Sequence, residues 1–234
     1  MYITPFSVPI FLDVIAVLLW ALSGAIVATR RGFDLVGVFA IAVVASTGGS
    51  IIRDGLFLQR TPPVVTNPAY LPAILIVSLG VIPFSHLIHR WRFLDQGVGI
   101  IDAIGTPAFT VLGTGLALAA GTTVPGAMLI GALNGIGGGI LRDMLVGDTP
   151  EVFRPGQFNA LVAVLASGLY ILLLQVLGAS DALAAWLTVG AYFLTRVLTI
   201  RYNWHTVAMQ DVDYPAIPDK YLPRRIFPRR KDDS

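Results

Sequence analysis

Cysteine is absent from the chain. That excludes disulfides, thiolate nucleophiles and Cys-based metal sites. Charge is scarce: Asp, Glu, Lys and Arg make up 13% of the residues, against about 25% in soluble domains. No carboxylate dyad, nucleophile–base set or metal-ligand spacing stands out, so an enzyme is not expected. No basic leader precedes the first apolar run, which therefore reads as a retained span rather than a signal peptide. The glycine-rich stretches have neither a preceding strand nor a P-loop lysine, which argues against a nucleotide-binding loop. The net charge of +2 says little, and no nucleic-acid partner is expected.

What is present is hydrophobic length. Fifty-five per cent of the chain is hydrophobic, and several runs reach the roughly 20 residues that cross a bilayer as a helix. Seven spans can be read, at about 8–29, 35–58, 69–88, 98–119, 125–147, 157–178 and 181–200. Arg30-Arg31-Gly32, Thr61-Pro62-Pro63 and Gly147-Asp148-Thr149-Pro150 are among the punctuating breaks. The fold class is an all-α membrane protein with seven transmembrane helices. With the N-terminus outside, inside loops hold Arg30, Arg31, Arg90, Arg92, Arg154 and the basic tail, while outside loops hold only Arg60. The positive-inside rule therefore puts the C-terminus in the cytoplasm.

The chain is also duplicated. GGSIIRD, from Gly48 to Asp54, recurs as GGGILRD, from Gly137 to Asp143, at a spacing of 89 residues. At the same offset Asp13 meets Asp102, Gly24 meets Gly113, Gly32 meets Gly121 and Gly37 meets Gly126. Spans one to three thus repeat as spans four to six. Three is odd, so the second copy enters the membrane upside down. Inverted repeats with interrupted helices in matching positions mark an ion or substrate path at the repeat interface.

The glycines admit two readings. Gly131, Gly135 and Gly139 recur every fourth residue, a small-residue face that lets membrane helices approach closely. Gly137, Gly138 and Gly139, and Gly48, Gly49 with Ser50, form runs that favour a kink or unwinding. Freed carbonyls are tolerable in a bilayer only inside protein or along a wet cavity, so the paired runs, with Asn134 beside them, are expected to be helix breaks on an ion path.

Asp13 and Arg53 sit at similar depth toward the outer side, and Asp102 and Arg142 occupy the mirror positions, each about 8–10 Å from the midplane at 1.5 Å rise per residue. Charges in a membrane helix need partners. Two pairs are expected, Asp13 with Arg53 and Asp102 with Arg142, with Asp54 and Asp143 as second candidates for the arginines. They either pin helices together or act at the two mouths of a path. Thr106 and Thr110, continued by Thr114, form a helical stripe, and with Thr47 they are candidates to line the path. Threonine hydroxyls often bond back to their own helix instead. Arg196, near a span end, is expected to snorkel.

The two glycine-rich stretches followed by Arg-Asp, in an inverted three-plus-three repeat with a seventh helix, resemble prokaryotic members of the trimeric intracellular cation (TRIC) channel family. The resemblance covers nearly all the chain except the tail. It implies a homotrimer in the cell inner membrane, with a potassium-type path for monovalent cations inside each subunit, flanked by the kinked second and fifth helices. No cofactor is implied beyond permeating K+ or Na+, with bound lipid as a further candidate. The Lys-Glu-Val motif of animal members is absent. Some related bacterial sequences are labelled glycine transporters, so a secondary transporter of a small amino acid is the alternative. The expected organisation is a channel domain over 1–200, with repeat one about 8–88, repeat two about 98–178 and the seventh helix about 181–200, then a partly disordered cytoplasmic tail over 201–234.

Overall fold

The computed structural model describes residues 10–90, 94–154 and 159–202. Among these residues all regular structure is helical. Helix α1 spans Ile10–Arg30; α2 spans Leu35–Ile51 and continues as a π-helical segment, Ile52–Leu58. After the short α3 (Pro63–Thr66), the third span is α4 (Tyr70–Val81) and α5 (Ser85–Arg90), joined by a 3-10 turn at Ile82–Phe84. Pro83 lacks the N–H that an unbroken helix would need. Then come α6 (Leu94–Ala119), α7 (Val124–Leu145), a 3-10 turn (Glu151–Phe153), α8 (Asn159–Gln175) and α9 (Asp181–Arg201). Six spans are long and apolar enough to cross a membrane, and α8 is a shorter apolar helix. The chain is a multi-pass membrane protein. The expected tail falls almost wholly on 203–234, outside the described residues, as do the first residues of the first and sixth expected spans.

The duplication is visible down to single hydrogen bonds. Helix α1 ends at a left-handed Gly32 (φ +77°) and α6 at its repeat mate Gly121 (φ +79°). Both ends close alike, with Phe33 N–H on the Ala28 carbonyl and Thr122 N–H on that of Ala117, the six-to-one bond of a Schellman cap. The next helices open alike too. Asp34 caps α2 by accepting from Gly37 N–H, and Thr123 caps α7 by accepting from Gly126 N–H. All of these mates lie 89 residues apart.

Helices α1, α2, α6 and α7 form the centre, with α4 against α1 and α2, α8 against α6 and α7, and α9 against α6 and α8. Small residues let the central helices touch. Ala16, Ala21, Ala25 and Ala28 of α1 pack with Ile41, Ala42 and Ala45 of α2. Without a hydrophobic drive between helices in lipid, such close packing supplies the cohesion. Large apolar residues such as Ile76, Leu79, Phe84 and Leu165 face outward, as a hydrocarbon surround allows.

The helices do not break where the glycine runs predict. Helix α7 is continuous through Gly137, Gly138 and Gly139, and α2 through Gly48 and Gly49. A glycine costs a helix only about 1 kcal/mol, and packing on three sides outweighs it. The irregularity in repeat one lies after the glycines, where Gln59 N–H bonds to the Asp54 carbonyl five residues back. An inserted residue produces such a turn, and one is present. Asp54 is five residues before the left-handed Gln59, whereas Asp143 is four before the left-handed Gly147. Beyond this point Thr61-Pro62 matches Thr149-Pro150 at a spacing of 88.

Candidate functional site

Helices α2 and α7 cross backbone to backbone at the molecular centre. A Cβ added to Gly49 would collide with the Asn134 carbonyl oxygen, and one on Gly138 with the Ala45 carbonyl oxygen. Gly49 and Gly138 are repeat mates, and so are Ala45 and Asn134. The crossing is therefore symmetric, and its glycines serve contact. A Cβ on Gly137 would lie 3.2 Å from the Gly49 Cα. The polar residues nearby bond mostly to their own helix: Ser46 donates to the Ala42 carbonyl, Thr47 to that of Val43 and Ser50 to that of Thr47. Fully buried Asn134 is the exception. It donates to the Phe109 carbonyl on α6 and accepts from Arg53 at 3.3 Å.

The threonine stripe of α6 faces α7. Thr110 and Thr114 are fully buried, their hydroxyls where a Cβ on Gly135 or Gly131 would be. Thr106 instead reaches a small cavity of about 30 Å³ that Trp20, Asp102, Asn159 and Tyr192 also line. Among the described residues, the buried Trp20 Nε1 and Asn159 Oδ1 have no hydrogen-bond partner there.

One charged cluster stands at the end of each repeat's central helix. In repeat two, Arg142 is 4% exposed and donates to both oxygens of Asp102 at 3.0 and 3.2 Å. It also donates to Asp143 at 2.8 Å. The Ser23 hydroxyl accepts from Arg142 and donates to Asp102 at 2.7 Å. Trp20 lies under the guanidinium, 5.5 Å from ring centre, a cation–π distance. Asp143 accepts from the Glu151 backbone N–H at 3.2 Å, and Glu151 accepts from Arg196 at 2.7 Å. Arg196 is thus buried in an ion pair from the seventh helix rather than snorkelling. A polar cavity of about 550 Å³ opens over this cluster, lined by Arg30, Arg31, Asp102, Arg142, Asp148 and Glu151 among others. Across its rim Arg31 of repeat one pairs with Asp148 of repeat two.

In repeat one the expected Asp13–Arg53 pair is replaced. Arg53 presents two nitrogens to Asp54, at 2.8 and 2.6 Å, and turns the third to Asn134. That bidentate fork leaves it no direct bond to Asp13. Asp13 accepts from the Tyr70 hydroxyl of α4 instead. Asp54 has a second cation, Arg60, at 2.7 Å. The second-choice carboxylates Asp54 and Asp143 are thus direct partners of their neighbouring arginines. The sequence reading missed Ser23, Trp20, Tyr70, Glu151 and the role of Arg196. The only hint was spacing: Trp20, Ser23 and Val27 lie on one face of α1.

Comparison with known proteins places this architecture. A family model described as "Glycine transporter" matches residues 10–86 and again 99–175, one match per repeat. A UPF0126 membrane protein of Deinococcus radiodurans is 34% identical over 68% of this chain and 73% of its own. The UPF0126 membrane protein YvgT of Bacillus subtilis is 31% identical over 82% of this chain and 92% of its own. Among solved structures, the TRIC orthologue from Rhodobacter sphaeroides superposes with a TM-score of 0.76 at 30% identity, covering 82% of this chain and 97% of that one. Another, described by conductance through TRIC cation channels, gives 0.74 at 27% identity, over 86% and 97%. A Caenorhabditis elegans TRIC channel at 18% identity shares the fold, with a TM-score of 0.55. The chain belongs to the prokaryotic TRIC channel family, whose members the model described as "Glycine transporter" gathers.

Proposed function

We propose that this protein is a monovalent-cation channel, conducting K+ and Na+ along a path inside each protomer beside the α2–α7 crossing. The observation that carries the reading is the superposition, at 30% identity, on solved TRIC cation channels. The local chemistry supports it. Ser50, Asn134 and Thr106 are among the polar side chains buried between the helices, and a charged cluster stands at each end. The polar cavity over Asp102 and Arg142 forms one mouth, and the Asp13–Tyr70 contact lies at the other. We further infer a homotrimer, as the names of the solved relatives state for those proteins, with the N-terminus outside and the tail of 201–234 cytoplasmic. Residues 1–200 then make up the channel domain.

The description of the family model favours a second reading, a carrier of a small amino acid. Purified protein in planar bilayers with symmetrical KCl separates the two. Unitary steps far above carrier turnover, with a K+ reversal potential in a gradient, are the expected result. Saturable glycine exchange in proteoliposomes without such steps would overturn it.

A further inference from the structure

The seventh helix lies outside the duplication, yet it reaches the charged cluster of repeat two. Arg196 of α9 donates to the Glu151 carboxylate at 2.7 Å. Glu151 opens the 3-10 turn Glu151–Phe153, and its own N–H donates to Asp143. One residue therefore links α9 to a partner of Arg142. Repeat one has no equivalent link. The counterpart of Glu151 there is Pro63, with neither a carboxylate nor an N–H.

The two members of this pair face different spaces. Glu151 borders both the polar cavity of about 550 Å³ and the small cavity, whereas Arg196 borders only the small one. The Arg196 side chain is 6% exposed and that of Glu151 26%. The carboxylate thus stands in the wall of the polar cavity, and the cation holds it from behind. Among the described residues, that wall carries four arginines and four carboxylates. A balanced wall has no net charge, so one further unit charge behind it decides the sign. Arg196 supplies that charge. At about 10 Å in water, a unit charge changes the local concentration of a monovalent cation about twofold, and less as salt screens it.

We propose that Arg196, acting through Glu151, sets the electrostatic potential of the repeat-two mouth and limits the entry of monovalent cations there. The inference rests on the channel reading. It makes the seventh helix the element that tunes one mouth and not the other. Control placed at one mouth has a signature: substitutions should bend the current–voltage relation rather than scale it evenly. Only ions entering from that side meet the changed charge.

Single-channel recording in planar bilayers, at roughly 50 mM and roughly 1 M KCl, tests it on protein of wild-type oligomeric mass. At low salt, Arg196→Gln should raise the current entering from one side by about 1.5-fold to twofold, because Glu151 then stands uncompensated. Glu151→Gln should lower it by a similar factor, because the arginine loses that counter-charge. The Arg196→Gln, Glu151→Gln variant should return to wild type. At high salt, where the Debye length is about 3 Å, the proteins should converge. Unchanged currents in both single variants at low salt overturn the proposal. A fall in both, or a change that persists at high salt, also overturns it, since the pair then acts by holding the shape of the turn. If Arg196→Gln does not assemble, Glu151→Gln at the partly exposed carboxylate decides alone. Unitary currents from wild type at high salt establish the channel reading separately, and their absence would sink both.

Discussion

The two charged clusters occupy mate positions in the repeat, yet they are wired differently. Arg142 is the single cation between two carboxylates, Asp102 and Asp143. In the first copy the count is reversed: Asp54 is the single carboxylate between two cations, Arg53 and Arg60. The cause lies a few residues downstream. Glu151 gives Asp143 a backbone N–H, but its counterpart at the spacing of 88 is Pro63, which has none. Arg60 fills the vacancy at Asp54, whereas its own counterpart, Asp148, reaches out to Arg31. Duplication preserved the backbone of the site and left the partners free to diverge.

Buried charge should break the symmetry most. Arg142→Ala strands two carboxylates near the interior, and losing one partner of a buried pair costs about 3–5 kcal/mol. Arg53→Ala should cost distinctly less, because Asp54 keeps Arg60. Chemical unfolding in detergent micelles measures both. In double-mutant cycles Asp102 and Arg142 should couple by about 1–3 kcal/mol, while Asp13 and Arg53 should add to within roughly 0.5 kcal/mol. Equal losses for the two arginines, or strong coupling of Asp13 to Arg53, would restore the symmetric picture.

The glycine crossing is the feature that both copies share, and the next effect tests it. Gly49→Ala and Gly138→Ala each push a methyl group into the other helix's backbone carbonyl. Overpacking of this kind costs about 1–3 kcal/mol, more where backbone must move. Each substitution should lower the melting midpoint and the yield of assembled protein, whereas Gly190→Ala, with nothing within 4 Å, should not. Intact, equally stable protein with altered conductance in both variants would instead mean that the glycines act through helix flexibility.

These glycines also show how far the sequence could be read. The 89-residue spacing carried the spans, the duplication and the matched caps, because each follows from local composition and period. The same letters could not say whether Gly138 bends α7 or admits α2. Both need a small residue, and only the Ala45 carbonyl against it decides. Charge depth likewise placed Arg53 near Asp13 but could not foresee the one-residue insertion or the hydroxyl of Tyr70. Partners from distant helices, such as Ser23 and Arg196, leave no periodic trace.

A smaller effect contrasts the two hydroxyls. Tyr70 is the donor seen on Asp13, which has no direct arginine bond among the described residues. Ser23 bridges Arg142 and Asp102, which also touch each other directly. Tyr70→Phe should therefore destabilise by about 1 kcal/mol, the net worth of a hydrogen bond to a part-buried carboxylate. Ser23→Ala should cost less than about 1 kcal/mol, because its partners retain one another. The comparison is read from thermal midpoints of the two variants side by side. A larger loss for Ser23→Ala would mean that the serine, not the ion pair, holds the second cluster together.

The smallest effect concerns where each central helix stops. Repeat two ends on Gly147 at φ +81°, and repeat one on Gln59 at φ +48° and ψ +45°. A side chain in the left-handed region costs about 1–2 kcal/mol from Cβ–carbonyl crowding. Glycine removes that cost, but it also frees the unfolded chain by about 0.4–1 kcal/mol. Gln59 is exposed, so little packing is lost with it. Gln59→Gly should stabilise by less than about 1 kcal/mol, and Gly147→Ala should destabilise by about 1 kcal/mol, since alanine accepts φ +81° poorly. Paired melting curves would show opposite signs. A clear loss of stability in Gln59→Gly would show that the glutamine side chain supports the π-helical end, so that the two repeats differ there by design of contacts and not only by one inserted residue.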